Sequence, residues 1–188
     1  MRIISGIAKG KKILIPTDNK TRPLKDMVKE SIFNILNHSN LLNSKLNESI
    51  VLDLFSGVGS FGLEAISRGA KKVVFFENYK AAKNLLIENL TNLDFLKKAE
   101  VYQKNIYNKN IFEKLNYKFN LVFIDPPFKD DNIKELINNL SDSKMIESKT
   151  LVIMHRNKIS KDDFGYKFKN IRTEIYGSSK IIYGYFNI

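Results

Sequence analysis

Cysteine and tryptophan are absent from the 188 residues, and histidine occurs only as His38 and His155. Without cysteine there is no disulfide scaffold, no thiolate zinc site, no iron–sulfur cluster and no cysteine nucleophile. Two histidines are too few for a His-rich metal centre, so no metal is expected. No apolar run approaches the roughly 20 residues of a membrane span, and residues 1–16 lack the apolar stretch of a signal peptide. The expectation is therefore a cytoplasmic protein with no membrane attachment. Arginine is scarce: five residues against 26 lysines, beside 21 Asn and 23 Ile. A bias toward Lys, Asn and Ile raises charge by itself, so the formal net charge of +11 divides evenly between a polyanionic partner and composition alone. Arg2, Arg22, Arg68, Arg156 and Arg172 run against the bias and are better candidates for specific roles. Proline and glycine are few, four and nine, and both cluster. Two of the prolines are consecutive at 126–127, and three of the glycines fall within residues 57–62.

What is present reads as an ordinary globular chain, 43% hydrophobic and 27% charged. Its length suits a single domain over 1–188, with about 70% of the unfolded surface buried on folding. Within it, 1–37 read as an N-terminal extension and 50–188 as a core. Two short apolar runs around Gly6 and Gly10 suggest a small β-hairpin. Residues 24–37 place Val28, Ile32, Ile35 and Leu36 on one helical stripe; Pro23 suits the first turn, and Asp26 favours the helix N-terminus. Residues 37–49, rich in Asn and Ser, read as a connection. From Ile50 strands and helices alternate. Strands are expected at Ile50–Leu54, Lys72–Phe76, Ala99–Gln103, Asn120–Ile124 and Thr150–Met154. Helices are expected from the glycine turn to about Arg68, over Lys80–Leu93, over Tyr107–Leu115 and over Asn132–Leu140. Apolar strands alternating with helices imply a parallel sheet covered on both faces. Phe164–Ile175 and Lys180–Phe186 flank only Gly177-Ser178-Ser179 and read as an antiparallel hairpin. Together these make an α/β protein with a mostly parallel seven-stranded sheet, the plan of Rossmann-like methyltransferases.

The segment Val51–Gly62 leaves a strand and opens a helix. Gly57-Val58-Gly59-Ser60-Phe61-Gly62 matches the GxGxxG pattern, and Glu77 closes the next strand, where an acid suits a ribose diol. Three glycines so close together carry a backbone-entropy cost that argues against an idle turn. Asp53 lies ahead of the glycines. A carboxylate there would repel a pyrophosphate and pair with an ammonium, which favours S-adenosylmethionine over NAD as cofactor.

Phe123-Ile124-Asp125-Pro126-Pro127-Phe128 follows the fourth strand, at the sheet end where ligands bind in parallel α/β sheets. Two prolines fix two φ angles and remove two donors. The remaining rim offers the Asp125 carboxylate and the Pro126 carbonyl as acceptors, with Phe128 as a flat apolar face. The lone pair of an exocyclic base amine is delocalised into the ring. Two acceptors can hold its hydrogens and turn the lone pair toward an electrophilic methyl, by positioning and electrostatics alone. A turn that merely ends a strand would need none of the flanking acid, aromatic or cofactor loop.

Asp125-Pro126-Pro127-Phe128 resembles the (N/D)PP(Y/F/W) motif of amino-group methyltransferases. Arg2–Gly6, Thr21-Arg22-Pro23, Lys29–Leu36 and Leu52–Gly59 resemble a narrower group, the RsmD family of bacterial 16S rRNA guanine-N2 methyltransferases. The resemblance spans nearly the whole chain. It implies methylation of a guanine amine in 16S rRNA of the small ribosomal subunit; a monomer is expected. It also implies that Asp125, Pro126, Pro127 and Phe128 are catalytic, and that Asp53, Phe55, Gly57 and Gly59 line the methionine end of the cofactor. Glu77 and Asn78 would serve the ribose, and Asn105 and Ile106 the adenine. Asn105 stands where the family commonly has an acid. Arg22, Phe128 and Lys129 would face the substrate, with Thr21 near the cleft. His155 and Arg156 end the fifth strand on the same side, and the sequence gives neither a role. A DNA adenine-N6 methyltransferase would use the same motif but needs a target-recognition segment for which there is little room. A glutamine methyltransferase usually begins the motif with Asn and carries an N-terminal helical domain absent here. A non-catalytic RNA-binding or assembly protein of this fold would have no need of intact Asp125–Phe128 and Gly57/Gly59.

Overall fold

The computed structural model describes residues 1–17, 24–108, 111–113 and 115–188. Seven strands form one sheet: β1 Ile50–Leu54, β2 Lys72–Phe76, β3 Ala99–Tyr102, β4 Leu121–Ile124, β5 Leu151–Asn157, β6 Phe168–Tyr176 and β7 Ser179–Phe186. Their order is β3-β2-β1-β4-β5-β7-β6. The first five are parallel, while β7 runs antiparallel to both β5 and β6. Buried on both faces, β1, β2 and β4 are almost wholly apolar; β6, at the edge, exposes most of its residues. The order reverses between β1 and β4, and such a switch opens a crevice at the carboxyl ends of the strands.

Four α-helices accompany the sheet: α1 Asp26–His38, α2 Ser60–Ser67, α3 Lys80–Asn92 and α4 Ile133–Ser141. On one face α1, α2 and α3 pack with the N-terminal segment, through Val28, Ile32, Phe61, Leu86 and Leu90. A stack of Phe33, Phe61 and Phe123, with centroids 5.0 and 3.9 Å apart, joins α1 and α2 to β4. The opposite face is covered by α4, through Ile133, Leu136, Ile137 and Leu140. No helix among the described residues is long and apolar enough to cross a membrane.

The N-terminal hairpin is present in short form, and two expectations are corrected. Its bridge pairs Arg2 with Lys12 antiparallel, the Ile3 N–H donating to the Lys11 carbonyl (2.9 Å) and the Ile13 N–H to the Met1 carbonyl (3.1 Å). Other backbone donors of the segment dock it on the helices: Ile4 and Ser5 donate to the Glu64 carboxylate (2.7 and 2.9 Å), Ala8 to Ser67 Oγ (3.0 Å) and Leu14 to Asn89 Oδ1 (2.8 Å). No α-helix forms among the described residues of 107–115. Asn105 Oδ1 accepts from the Tyr107 N–H (3.1 Å) and the Asn105 carbonyl from the Asn108 N–H (3.2 Å). These are local bonds of the kind that compete with helix. Finally, β5 continues three residues beyond Met154, where its pairing with β4 stops, and the extra residues pair with Ile181, Lys180 and Ser179 of β7.

Candidate active site

A cleft of about 410 Å³ lies at the carboxyl ends of the central strands. Asp53, Phe55, Gly57, Glu77, Asp125, Pro126, Pro127 and Phe128 all line it, as do Leu24, Ser60, Tyr79 and His155. The fold thus brings together residues up to 75 positions apart, because β1, β2 and β4 are neighbours that end in register.

The loop after β1 is shaped by left-handed backbone. Phe55, Gly57 and Gly59 have φ of +57°, +56° and +86°. For Phe55, a residue with a side chain, such a φ is strained, at a cost of about 1–3 kcal/mol, and strain of this kind gathers at ligand sites. Gly59 caps α2 and is not part of the lining; a Cβ there would meet Leu86 Cδ1 at 2.4 Å. Gly62 has a different constraint. A Cβ would meet Phe75 Cε1 at 2.2 Å and Asp53 Oδ2 at 2.9 Å, so only glycine lets α2 approach this closely. That approach brings the Gly62 N–H within 2.9 Å of Asp53 Oδ2.

Asp53 is buried, and burial raises its pKa well above the ordinary carboxyl range. The Gly62 bond opposes the shift, and the charges of Asp125 and Glu77 add to it. A desolvated acid with two further acids nearby is an electrostatic seat for a cation. Glu77 is set by backbone: Oε2 accepts from the Gly57 N–H (2.7 Å) and Oε1 from the Tyr79 N–H (2.6 Å). Both oxygens keep lone pairs for a neighbouring pair of hydroxyls.

The 125–130 segment is held by the β5 extension. His155 Nδ1 lies 2.8 Å from Asp125 Oδ1, and its Nε2 lies 2.9 Å from Ser179 Oγ. The Phe128 ring meets the imidazole edge-on, with centroids 5.6 Å apart. Arg156, also buried, donates to the Pro127 carbonyl (3.4 Å) and the Asp130 carbonyl (3.0 Å), and its Nε to Asp162 (2.6 Å). The Tyr107 hydroxyl donates to Asp130 Oδ2 (2.7 Å).

Other expected residues lie elsewhere. Asn78, Asn105, Ile106 and Lys129 are not part of the cleft lining. Ile106 is buried in the core on the α4 side, Asn105 and Lys129 are exposed, and the Asn78 carbonyl accepts from Gln103 (3.3 Å). Thr21 and Arg22 lie outside the described residues. Leu24, Tyr79 and His155 are lining residues that motif reading passes over. The rarity of histidine was the available signal for His155.

Residues 1–185 match the model of a protein family described as "Conserved hypothetical protein 95". The ribosomal RNA small subunit methyltransferase D of Escherichia coli strain K12 is 33% identical over 152 residues, covering 81% of this chain and 72% of that protein. The chain belongs to the RsmD family of methyltransferases. Another relative, the putative rRNA methyltransferase YlbH of Bacillus subtilis, is 32% identical over 154 residues, covering 81% and 80% of the two chains. Among solved structures, the putative methyltransferase yhhF of Escherichia coli superposes with a TM-score of 0.80 at 27% identity, over 100% of this chain and 98% of that one. The sheet order and antiparallel end of this family member are those of the Rossmann-like methyltransferase fold.

Proposed function

We propose that the protein methylates the exocyclic N2 amine of a guanine in 16S rRNA, using S-adenosylmethionine. One observation carries this reading: the segment Asp125–Phe128 and the acids Asp53 and Glu77 line a single cleft. The relatives named as small-subunit rRNA methyltransferases supply the substrate class.

The residues present fit the cofactor. Asp53, buried and next to two more carboxylates, suits the methionine ammonium, and Glu77, anchored through both oxygens, suits the ribose hydroxyls. When bound, S-adenosylmethionine supplies an electrophilic methyl group. The protein's own part is positioning. Asp125 and the Pro126 carbonyl accept the two amine hydrogens, turn the nitrogen lone pair into the cleft and stabilise positive charge as it develops there. Phe128 stacks on the base. The base must leave its stack to reach them, at a cost of a few kcal/mol.

The test is labelled methyl transfer to undermethylated small subunits, free 16S rRNA and DNA in parallel, followed by nucleoside analysis. The expected product is N2-methylguanosine in the rRNA arms. N6-methyladenosine in the DNA arm, or cofactor binding with no transfer in any arm, would overturn the proposal.

A further inference from the structure

We propose that His155 is a positioning residue for methyl transfer, holding Asp125 in the rotamer that meets the target amine. This rests on the amine-methylation reading above. An ionised carboxylate only accepts hydrogen bonds, so the 2.8 Å contact with Asp125 Oδ1 requires a proton on His155 Nδ1. That assignment follows from the bonding network. Nε2 then faces Ser179 Oγ at 2.9 Å, and the buried serine hydroxyl donates to it when the ring is neutral. The imidazole is thus bonded at both nitrogens. Its side chain is only 10% exposed, against 20% for Asp125.

Among the described residues one oxygen of Asp125 is engaged in this way, and Oδ2 is left for the substrate. The imidazole also packs nearly perpendicular to the Phe128 ring, so a single side chain touches both groups assigned to the base. Arg156, the next residue, holds the Pro127 and Asp130 carbonyls. Adjacent residues on a strand point to opposite faces. The pair therefore grips the 125–130 segment from both sides of the sheet end. Ser179 comes from β7, which gives the antiparallel hairpin a part in the site that its position in the sequence does not suggest.

The test compares His155→Leu, His155→Asn and Ser179→Ala. The Asn amide nitrogen can occupy the place of Nδ1 and keep the donor to Asp125; Leu cannot. We expect His155→Leu to lower kcat by about 10–100-fold, the scale of a misplacement near 1 Å. KM for the subunit and affinity for S-adenosylhomocysteine should stay within about twofold. His155→Asn recovers most of the lost turnover, and Ser179→Ala loses less than His155→Leu. Nitrogen-15 NMR of the unaltered protein should show a protonated Nδ1 whose proton signal disappears in Asp125→Ala. Full turnover by His155→Leu, no recovery in His155→Asn, or an unprotonated Nδ1 each overturns the role of His155. Absence of methyl transfer by the unaltered protein instead overturns the reaction itself, so the two failures are distinguishable.

Discussion

Asp53 is the buried acid that the proposed function sets against the cofactor's ammonium. Burial raises its pKa in the folded protein, so between the ordinary carboxyl range and that raised value the folded chain holds a proton the unfolded chain has lost. This contribution to stability is fully present below the ordinary range and is lost as pH rises through the folded value. Asp53→Asn should flatten the fall in melting temperature across that window. An ammonium at Asp53 favours the charged form, so S-adenosylhomocysteine binding there releases protons; calorimetry in buffers of different ionisation enthalpy measures the release, which Asp53→Asn abolishes. The same variant should bind about 10–150-fold more weakly, the equivalent of about 1.5–3 kcal/mol for a charge-assisted bond. Asp125→Ala separates from it cleanly. Turnover should fall by about 10²–10³-fold, while S-adenosylhomocysteine affinity changes little, because in the proposed function the lost acceptor serves the amine. Phe128→Ala should weaken rRNA engagement by about 1–3 kcal/mol, read as a rise in subunit Kd.

Between elements, the most consequential contact is the one that docks the N-terminal segment on α2. Glu64, fully buried, accepts from Ile4 and Ser5, from Arg68 Nε at 2.7 Å, and pairs with Lys29 Nζ at 3.7 Å. Burial lowers the Lys29 pKa, opposed by Glu64 and Asp26. Glu64→Ala leaves a buried ammonium with less compensation, a loss of about 3–5 kcal/mol. At about 2–4 °C per kcal/mol for a chain of this size, differential scanning calorimetry should show the melting temperature falling by about 6–20 °C, and limited proteolysis should cut first within residues 1–17. None of this docking was legible in the sequence: Glu64 is the single charge in Ser60–Ser67, and its docking partners lie about 60 residues away in the chain or on another helix. By contrast β1 and β2 were read to the residue, because strands buried on both faces leave unbroken apolar runs. The strand bound at Met154 was three residues short because His155, Arg156 and Asn157 are polar; their pairing rests on β7, and His155 and Arg156 find partners about 30 residues away. Asp53, Glu77 and 125–128 were legible because each belongs to a short local string. His155 was not, because its role depends on what β4 brings beside it.

Charge acts on the whole molecule. The first 30 residues contain Arg2, Lys9, Lys11, Lys12, Lys20, Arg22, Lys25 and Lys29 against Asp18, Asp26 and Glu30, eight positive less three negative, or +5 of the total +11. Lys29 drops out of any docking surface, since it is buried against Glu64. Arg2, Lys9, Lys11, Lys12 and Lys25 remain exposed. Replacing Lys9, Lys11 and Lys12 by Glu should weaken rRNA binding and flatten the log–log salt dependence by about 0.7–0.9 per lost phosphate contact. S-adenosylhomocysteine binding should be unchanged. An unaltered slope with an intact fold would identify these lysines as compositional excess.

The place of β7 between β5 and β6 also sets an order in time. On a growing chain β5 emerges first, then β6, and the strand that must lie between them comes last of the three. The roughly 20 residues separating Asn157 from Ser179 take about 1–4 s to synthesise at 5–20 residues per second. Through that interval one edge of β5, a strand buried along most of its length in the finished protein, waits without a partner, and such an edge invites pairing with other chains. Slow decoding between β5 and β7 therefore lengthens the period in which nascent copies can associate wrongly. The same delay holds back the assembly of the cleft, because Ser179 arrives only with β7.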